Sequence, residues 1–178
     1  MTANEAYVFL KSIPDQFLKG LVIDLRGNPG GQMGGAMETA AFFLKADDEI
    51  AYFQERNKPR YDITVPALTV NLSITCPMVI LVDGGTGSAA ELLSGILQFK
   101  HRAYVLGVNT AGQMLLKHIF SLDDGSQMGM VISRGYLPDG QVFSFDGVTP
   151  NKIISDAPKD GLINLAAALI MRAQQQGV

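Results

Sequence analysis

The chain has 178 residues, 47% of them hydrophobic and 17% charged, with 19 Gly, 8 Pro, one Cys and no Trp. Such a length fits one domain, and an apolar fraction this high with a net charge of only −3 excludes a mainly disordered chain. No apolar run approaches the roughly 18 residues that cross a bilayer, and no basic cluster offers the concentrated positive face that tight nucleic-acid binding needs.

In chain order, residues 4–12 read as a helix that Pro14 interrupts before Gly20. The first five residues have neither the charged n-region nor the apolar h-region of a signal peptide, so any export signal is expected to have been removed or never to have existed. Residues 20–26 form a short apolar run, which predicts a strand buried on both faces as in a parallel sheet. A glycine turn over 27–31 leads into a helix over 35–45 with Met37, Ala40, Ala41 and Leu44 on one face. Strands are expected at 50–53, 63–65 and 78–82, the last preceded by Cys76, which reads as a buried, inert thiol. A second glycine turn, Asp83-Gly84-Gly85-Thr86-Gly87, opens a helix over 88–100. Strands follow at 103–106, 114–120 and 128–133, the last two joined by an Asp123-Asp124-Gly125 hairpin turn. A loop over 135–151 then precedes a final helix over 161–174 that buries Leu162, Leu165, Ala166, Leu169 and Ile170. Two strand–glycine turn–helix units separated by further strands predict an α/β fold in a single domain.

A glycine turn from a strand into a helix presents backbone N–H groups at the positive end of the helix dipole, a setting for a phosphate or a developing oxyanion. Residues 85–90 match the loose dinucleotide pattern G-x-G-x-x-A, but residues 104–110 lack the ribose-binding acid that should follow. A nucleophile fits better. Ser88 stands between Gly87 and Ala89 where the turn meets the helix, and small neighbours there leave a serine Oγ exposed. The competing reading, which the pattern alone favours, is an ordinary helix cap, with Glu91 completing a capping box.

Several segments resemble the C-terminal processing (tail-specific) serine peptidases. Leu21-Val22-Ile23-Asp24-Leu25-Arg26-Gly27-Asn28-Pro29-Gly30-Gly31 is similar to their D-L-R-x-N-x-G-G segment. Residues 85–91 are similar to their nucleophile segment, closer to the T-A-S-A-A-E form of the tricorn-like and retinoid-binding-protein-like branch. Residues 107–112 resemble G-E-x-T-x-G, and residues 136–140 and 146–151 resemble Y-x-x-P-x-G and G-[IV]-x-P-D. The resemblance implies a ClpP/crotonase-like spiral, Ser88 as the nucleophile, and an oxyanion site made by the N–H of Ala89 with that of Gly30 or Gly31. It implies a polypeptide substrate, no cofactor, and an extracytoplasmic setting.

The departures concern the general base. The bacterial branch carries Lys directly after G-E-x-T-x-G and Gln four residues later, whereas this chain has Gln113 and then Lys117. Gln cannot serve as a base, and four residues of strand span about 13 Å, which makes Lys117 a weak candidate. The tricorn-like branch draws a His from upstream of the D-L-R strand, but His101 and His118 both come later, one at a helix end and one on a strand. The family's PDZ domain and N-terminal region are likewise not matched. Residues 1–178 therefore read as a peptidase core, weakly active or inactive by itself. The alternative is a noncatalytic pseudopeptidase that binds an apolar ligand or a peptide on the same fold, with self-association a further possibility. The histidines lack ligand-spaced partners and Asp123-Asp124 reads as a turn, so no metal site is expected.

Overall fold

The computed structural model describes residues 3–67, 72, 74–143, 146–155 and 158–176. It is an α/β structure with one parallel and one antiparallel sheet. The parallel sheet contains β1 (Leu21–Asp24), β4 (Met78–Val82), β5 (Tyr104–Gly107) and β8 (Lys152–Ile153), in the spatial order β1-β4-β5-β8. The antiparallel sheet contains β2 (Glu49–Glu55), β3 (Tyr61–Thr64), β6 (Leu115–Ser121) and β7 (Gln127–Tyr136), in the order β3-β2-β7-β6. The helices are α1 (Ala3–Ser12), α2 (Met33–Ala40), α3 (Ala89–Phe99) and α4 (Lys159–Gln175).

The parallel sheet is covered on both faces, which explains the unbroken apolar run of β4. Ile80 and Val82 join Ala36 and Ala40 of α2 and Leu92 and Ile96 of α3 in one cluster. Val79 and Leu81 point the other way, onto Leu162, Ala166 and Ile170 of α4. All five residues of β4 are buried, as a central strand between two helix layers requires. β1 differs from the expectation. Leu21, Val22 and Ile23 are only half-buried, because β1 is the outermost strand and has β4 as its one partner among the described residues.

Other departures have local causes. α2 ends at Ala40 rather than at 45, because Phe42 and Phe43 bond back to Thr39 and Ala40 in i→i−3 fashion. That tighter turn buries Ala41, Phe42 and Phe43 consecutively, which the 3.6-residue period of an α-helix does not allow. β7 runs on to Tyr136 because it also pairs with β2, where Tyr52 and Tyr136 stack at 4.9 Å. The Asp123-Asp124-Gly125 hairpin forms as expected, with Asp124 Oδ1 accepting from the Ser126 N–H and Oγ–H. Cys76 is half-buried, and that burial raises its thiol above the ordinary pKa. His101 is exposed just past α3 in a left-handed backbone conformation, φ 53°, a common helix ending.

β4 and β5 approach so closely at their carboxyl ends that Gly107, φ +133°, has no room for a side chain: a Cβ there would lie 1.9 Å from the carbonyl oxygen of Val82. Gly107→Ala is expected to destabilise the fold by about 3 kcal/mol through backbone strain and overpacking. Denaturant unfolding of the variant beside the parent measures it, and a change below about 0.5 kcal/mol would contradict the packing described.

Candidate active site

The loops following β1, β4 and β5 meet at the carboxyl edge of the parallel sheet, the usual place for ligands in open α/β sheets. Hydrogen bonds stitch the first two together. Asp83 Oδ1 accepts from the N–H groups of Gly27 and Gly85, both at 2.9 Å. The wholly buried Thr86 hydroxyl donates to Leu25 O at 2.8 Å, and the Gly87 N–H donates to Asn28 O at 2.9 Å. Gly30 is pressed against the second loop: with φ +98°, a Cβ on it would lie 2.6 Å from Gly87 O and 2.8 Å from Ala89 N.

Ser88 stands at the start of α3 with φ 51° and ψ −120°. This is not the extended backbone of an ordinary N-cap, and for a residue with a Cβ it is strained by about 1–3 kcal/mol. Strain at a strand-to-helix turn is the hallmark of a nucleophile held proud of its surroundings. Ser88 is half-buried, hence accessible. The Ala89 N–H beside it lies in the first turn of α3, where the helix supplies no acceptor.

The strained turn is held by Glu91, which forms the expected capping box with Ser88 and reaches well beyond it. Its side chain is almost fully buried at 1% exposure. One carboxylate oxygen accepts from the N–H groups of Ser88, at 2.9 Å, and Gln113, at 2.7 Å. The other accepts from the Gly112 N–H at 2.7 Å and the Thr110 hydroxyl at 2.5 Å. Thr110 Oγ1 in turn accepts from the Val148 N–H at 2.7 Å. One carboxylate thus ties the Ser88 turn to the loop after β5 and, through Thr110, to the segment before β8. Both residues lie within segments singled out in the sequence, but nothing in a spacing of 19 residues announces that they touch.

The other expected site residues fall as follows. Gly30 sits beside Ala89, its would-be Cβ 2.8 Å from Ala89 N, but its N–H already donates to Asn28 Oδ1 at 2.9 Å; Gly31 lines the same cleft as Ala89. The Gln113 side chain reaches the Ser88 turn, its Oε1 lying 3.5 Å from where a Cβ on Gly87 would stand. The backbone of Lys117 lies in β6 opposite Val131, just after a register shift; its side chain lies outside the described residues. His118, also in β6, packs edge-on to Phe120 at 4.5 Å. Before the glycine turn, Arg26 forms a two-pronged ion pair with Asp24 at 2.8 and 2.7 Å, and this bonding holds its guanidinium above its ordinary pKa. Among the described residues no group of three or more His, Cys, Asp or Glu could hold a metal ion.

Residues 1–154 match the sequence profile of peptidase family S41. The chain belongs to this family. A carboxyl-terminal-processing protease of Synechocystis sp. is 29% identical over 145 residues, 82% of this chain and 33% of that protein. A carboxyl-terminal-processing protease of Picosynechococcus sp. is 30% identical over 162 residues, 88% of this chain and 38% of that protein. The chain thus spans little more than a third of the length of these relatives. Among solved structures, the photosystem II D1 C-terminal processing protease superposes with a TM-score of 0.70 at 25% identity, over 92% of this chain and 42% of that one.

In this S41 chain Glu91→Gln would turn an acceptor oxygen into a donor facing N–H groups. It is expected to destabilise the protein by about 3 kcal/mol, since a buried donor or acceptor left unsatisfied costs its full desolvation. Thr110→Val, which breaks one branch of the same network, is expected to cost about 1–3 kcal/mol. Denaturant unfolding of both variants and their double mutant checks this, with strongly non-additive losses as the signature of a shared network.

Proposed function

We propose that this chain is the core of a serine-type peptidase that cleaves polypeptides by acyl transfer. The observation that carries the reading is the strained backbone of Ser88 beside the Ala89 N–H and the glycines of the first turn. Ser88 Oγ attacks the scissile carbonyl carbon, and its proton passes to a base. The carbonyl oxygen becomes an oxyanion between the N–H groups of Ala89 and Gly31, each such donor contributing about 3 kcal/mol to the transition state. Collapse breaks the C–N bond, the amine departs with a proton from the base, and water then hydrolyses the Ser88 ester to release the acid.

The base is the weak point. Within this chain the candidate is Lys117; otherwise the base comes from a segment outside these residues, and the isolated chain is weakly active or inactive. The chain is read as one core domain over residues 1–178 with a ClpP/crotonase-like spiral, a reading supported by the parallel sheet whose carboxyl edge carries the site. No helix among the described residues is long and apolar enough to cross a membrane. A second reading, a binding module without catalysis, is favoured by one feature: a cleft of about 680 Å³ beside Gly30, Gly31 and Ala89.

Fluorophosphonate labelling with peptide turnover separates the two. On the peptidase reading the probe labels the parent chain, or a longer form carrying the upstream region, and Ser88→Ala abolishes labelling. Absence of labelling in both forms would leave the binding module. Gln113→Lys puts an amine where the bacterial branch carries its base, and labelling is expected to accelerate about 100-fold, the scale of a positioned general base. An unchanged rate would show that position 113 does not reach the Ser88 proton.

A further inference from the structure

We propose that a small cavity between the antiparallel sheet and the start of α2 receives a tyrosine side chain of the polypeptide substrate. This inference rests on the peptidase reading and names a side chain that the substrate presents. The cavity measures about 160 Å³. Its inner wall is a patch of sheet. Phe53 of β2 pairs with Tyr61 of β3, and Glu55 of β2 pairs with Ser133 of β7. Residues paired across strands, and residues two apart along one strand, share a face, so these four side chains project together. Met33, the first residue of α2, completes the lining with Lys58 and Pro59 of the β2–β3 connection.

Ser133 carries the argument. It is 3% exposed, the most buried residue of the lining, and its hydroxyl has no hydrogen-bond partner among the described residues. A buried polar group left unpaired is costly, and an alanine would occupy the same place in the strand without that cost. Two residues further along β7 the same face is filled: a Cβ on Gly135 would lie 3.3 Å from Phe53 and 3.4 Å from Met114. The sheet is thus close-packed at Gly135 and hollow at Ser133, where an unused hydroxyl borders the hollow.

Size and polarity select the occupant. An apolar cavity of roughly 150 Å³ takes a benzene ring, and walls such as Met33, Phe53 and Tyr61 favour a ring over a branched aliphatic group. A charged occupant finds no free counter-charge, because Glu55 and Lys58 of the lining pair with each other at 2.5 Å. A phenylalanine ring would fit yet leave the Ser133 hydroxyl unpaired, whereas a phenol gives it a partner that both donates and accepts. The walls also lead back to the nucleophile. Met33 stands two residues beyond Gly31, and Ser133 pairs with Leu116, three residues beyond Gln113. At about 3.3–3.6 Å of chain per residue, Met33 lies within about 7 Å of Gly31 and Leu116 within about 11 Å of Gln113. A tyrosine within a residue or two of the scissile bond spans that distance.

The test uses the full chain carrying Ser88→Ala, followed by NMR of its methionine methyls and backbone amides, and the blocked peptide acetyl-Ala-Ala-Tyr-Ala-Ala-amide beside its Phe and Ala counterparts. The Tyr peptide is expected to shift the Met33 methyl and the Ala89 amide together, and to bind at least fivefold more tightly than the Phe peptide. Ser133→Ala should erase that preference. Ser133→Leu, which fills the cavity, should weaken the Tyr peptide at least tenfold while the spectrum away from the cavity stays unchanged. Equal binding of the Tyr and Phe peptides would overturn the proposal, as would a preference that survives Ser133→Ala or a Met33 shift without one at Ala89. Binding of p-cresol at Met33 where the Tyr peptide does not bind would overturn the polypeptide occupant in favour of a small phenol. Fluorophosphonate labelling, of the parent chain or the longer form, is scored separately: labelling without a Met33 shift overturns the tyrosine site alone, and a Met33 shift without labelling overturns the peptidase reading alone.

Discussion

The Glu91 carboxylate is buried at 1% exposure and accepts from three backbone N–H groups and one hydroxyl. A carboxylate in that position would be ruinous without such partners, because the interior does not solvate charge. With them it becomes the point that fixes two loops to each other. Hydrogen bonds to charged groups contribute about 1.5–3 kcal/mol each, so the four together outweigh the roughly 1–3 kcal/mol of strain in a serine held at positive φ. The Ser88 turn can stay strained because the bond from its own N–H to Glu91 belongs to this network.

Asp83 and Thr86 perform the matching task on the other side of Ser88. Their bonds to Gly27, Gly85 and Leu25 hold the first glycine turn against the second. Gly30 then comes within 2.8 Å, measured from its would-be Cβ, of Ala89 N. The Ala89 N–H and the first glycine turn are thus set against each other by backbone and by the side chains of Asp83 and the buried Thr86, not by flexible surface groups. Electrostatic stabilisation of this kind works because the dipoles are oriented before the reaction begins.

Much of the fold was legible in the sequence, for a physical reason. Apolar runs such as 78–82 and the helical spacing of Leu92, Leu93, Ile96 and Leu97 report burial directly, and glycine turns mark where strands become helices. β8 was not legible. Its two residues, Lys152 and Ile153, are both exposed, and it is held by the bond from the Ile154 N–H to Gly107 O and by its pairing with β5. The half-buried state of β1 was missed because an apolar run shows what a strand prefers, and position at a sheet edge depends on the other strands. The glycine turns on either side of Ser88 were legible from local turn chemistry, whereas the pattern around Ser88 alone favoured a helix cap and only the family resemblance pointed to a nucleophile. The Glu91–Thr110–Val148 connection was not, since it joins residues 19 and 38 positions apart through side-chain contacts alone.

The same contrast separates the two halves of the proposed chemistry. An oxyanion site built from backbone N–H groups needs little more than the right loops on the right sheet edge, so it is written into glycines and buried acceptors. A general base is one side chain at one distance, and it can be supplied from any segment that reaches the nucleophile. Position 113 shows how narrow that requirement is. Its backbone is held by Glu91 and its side chain reaches the Ser88 turn, yet glutamine there has no proton affinity to offer. The loop that would present a base is therefore intact while the base is missing from its tip. On the proposed peptidase reading, chemistry in this chain depends on whether another amine or imidazole reaches Ser88.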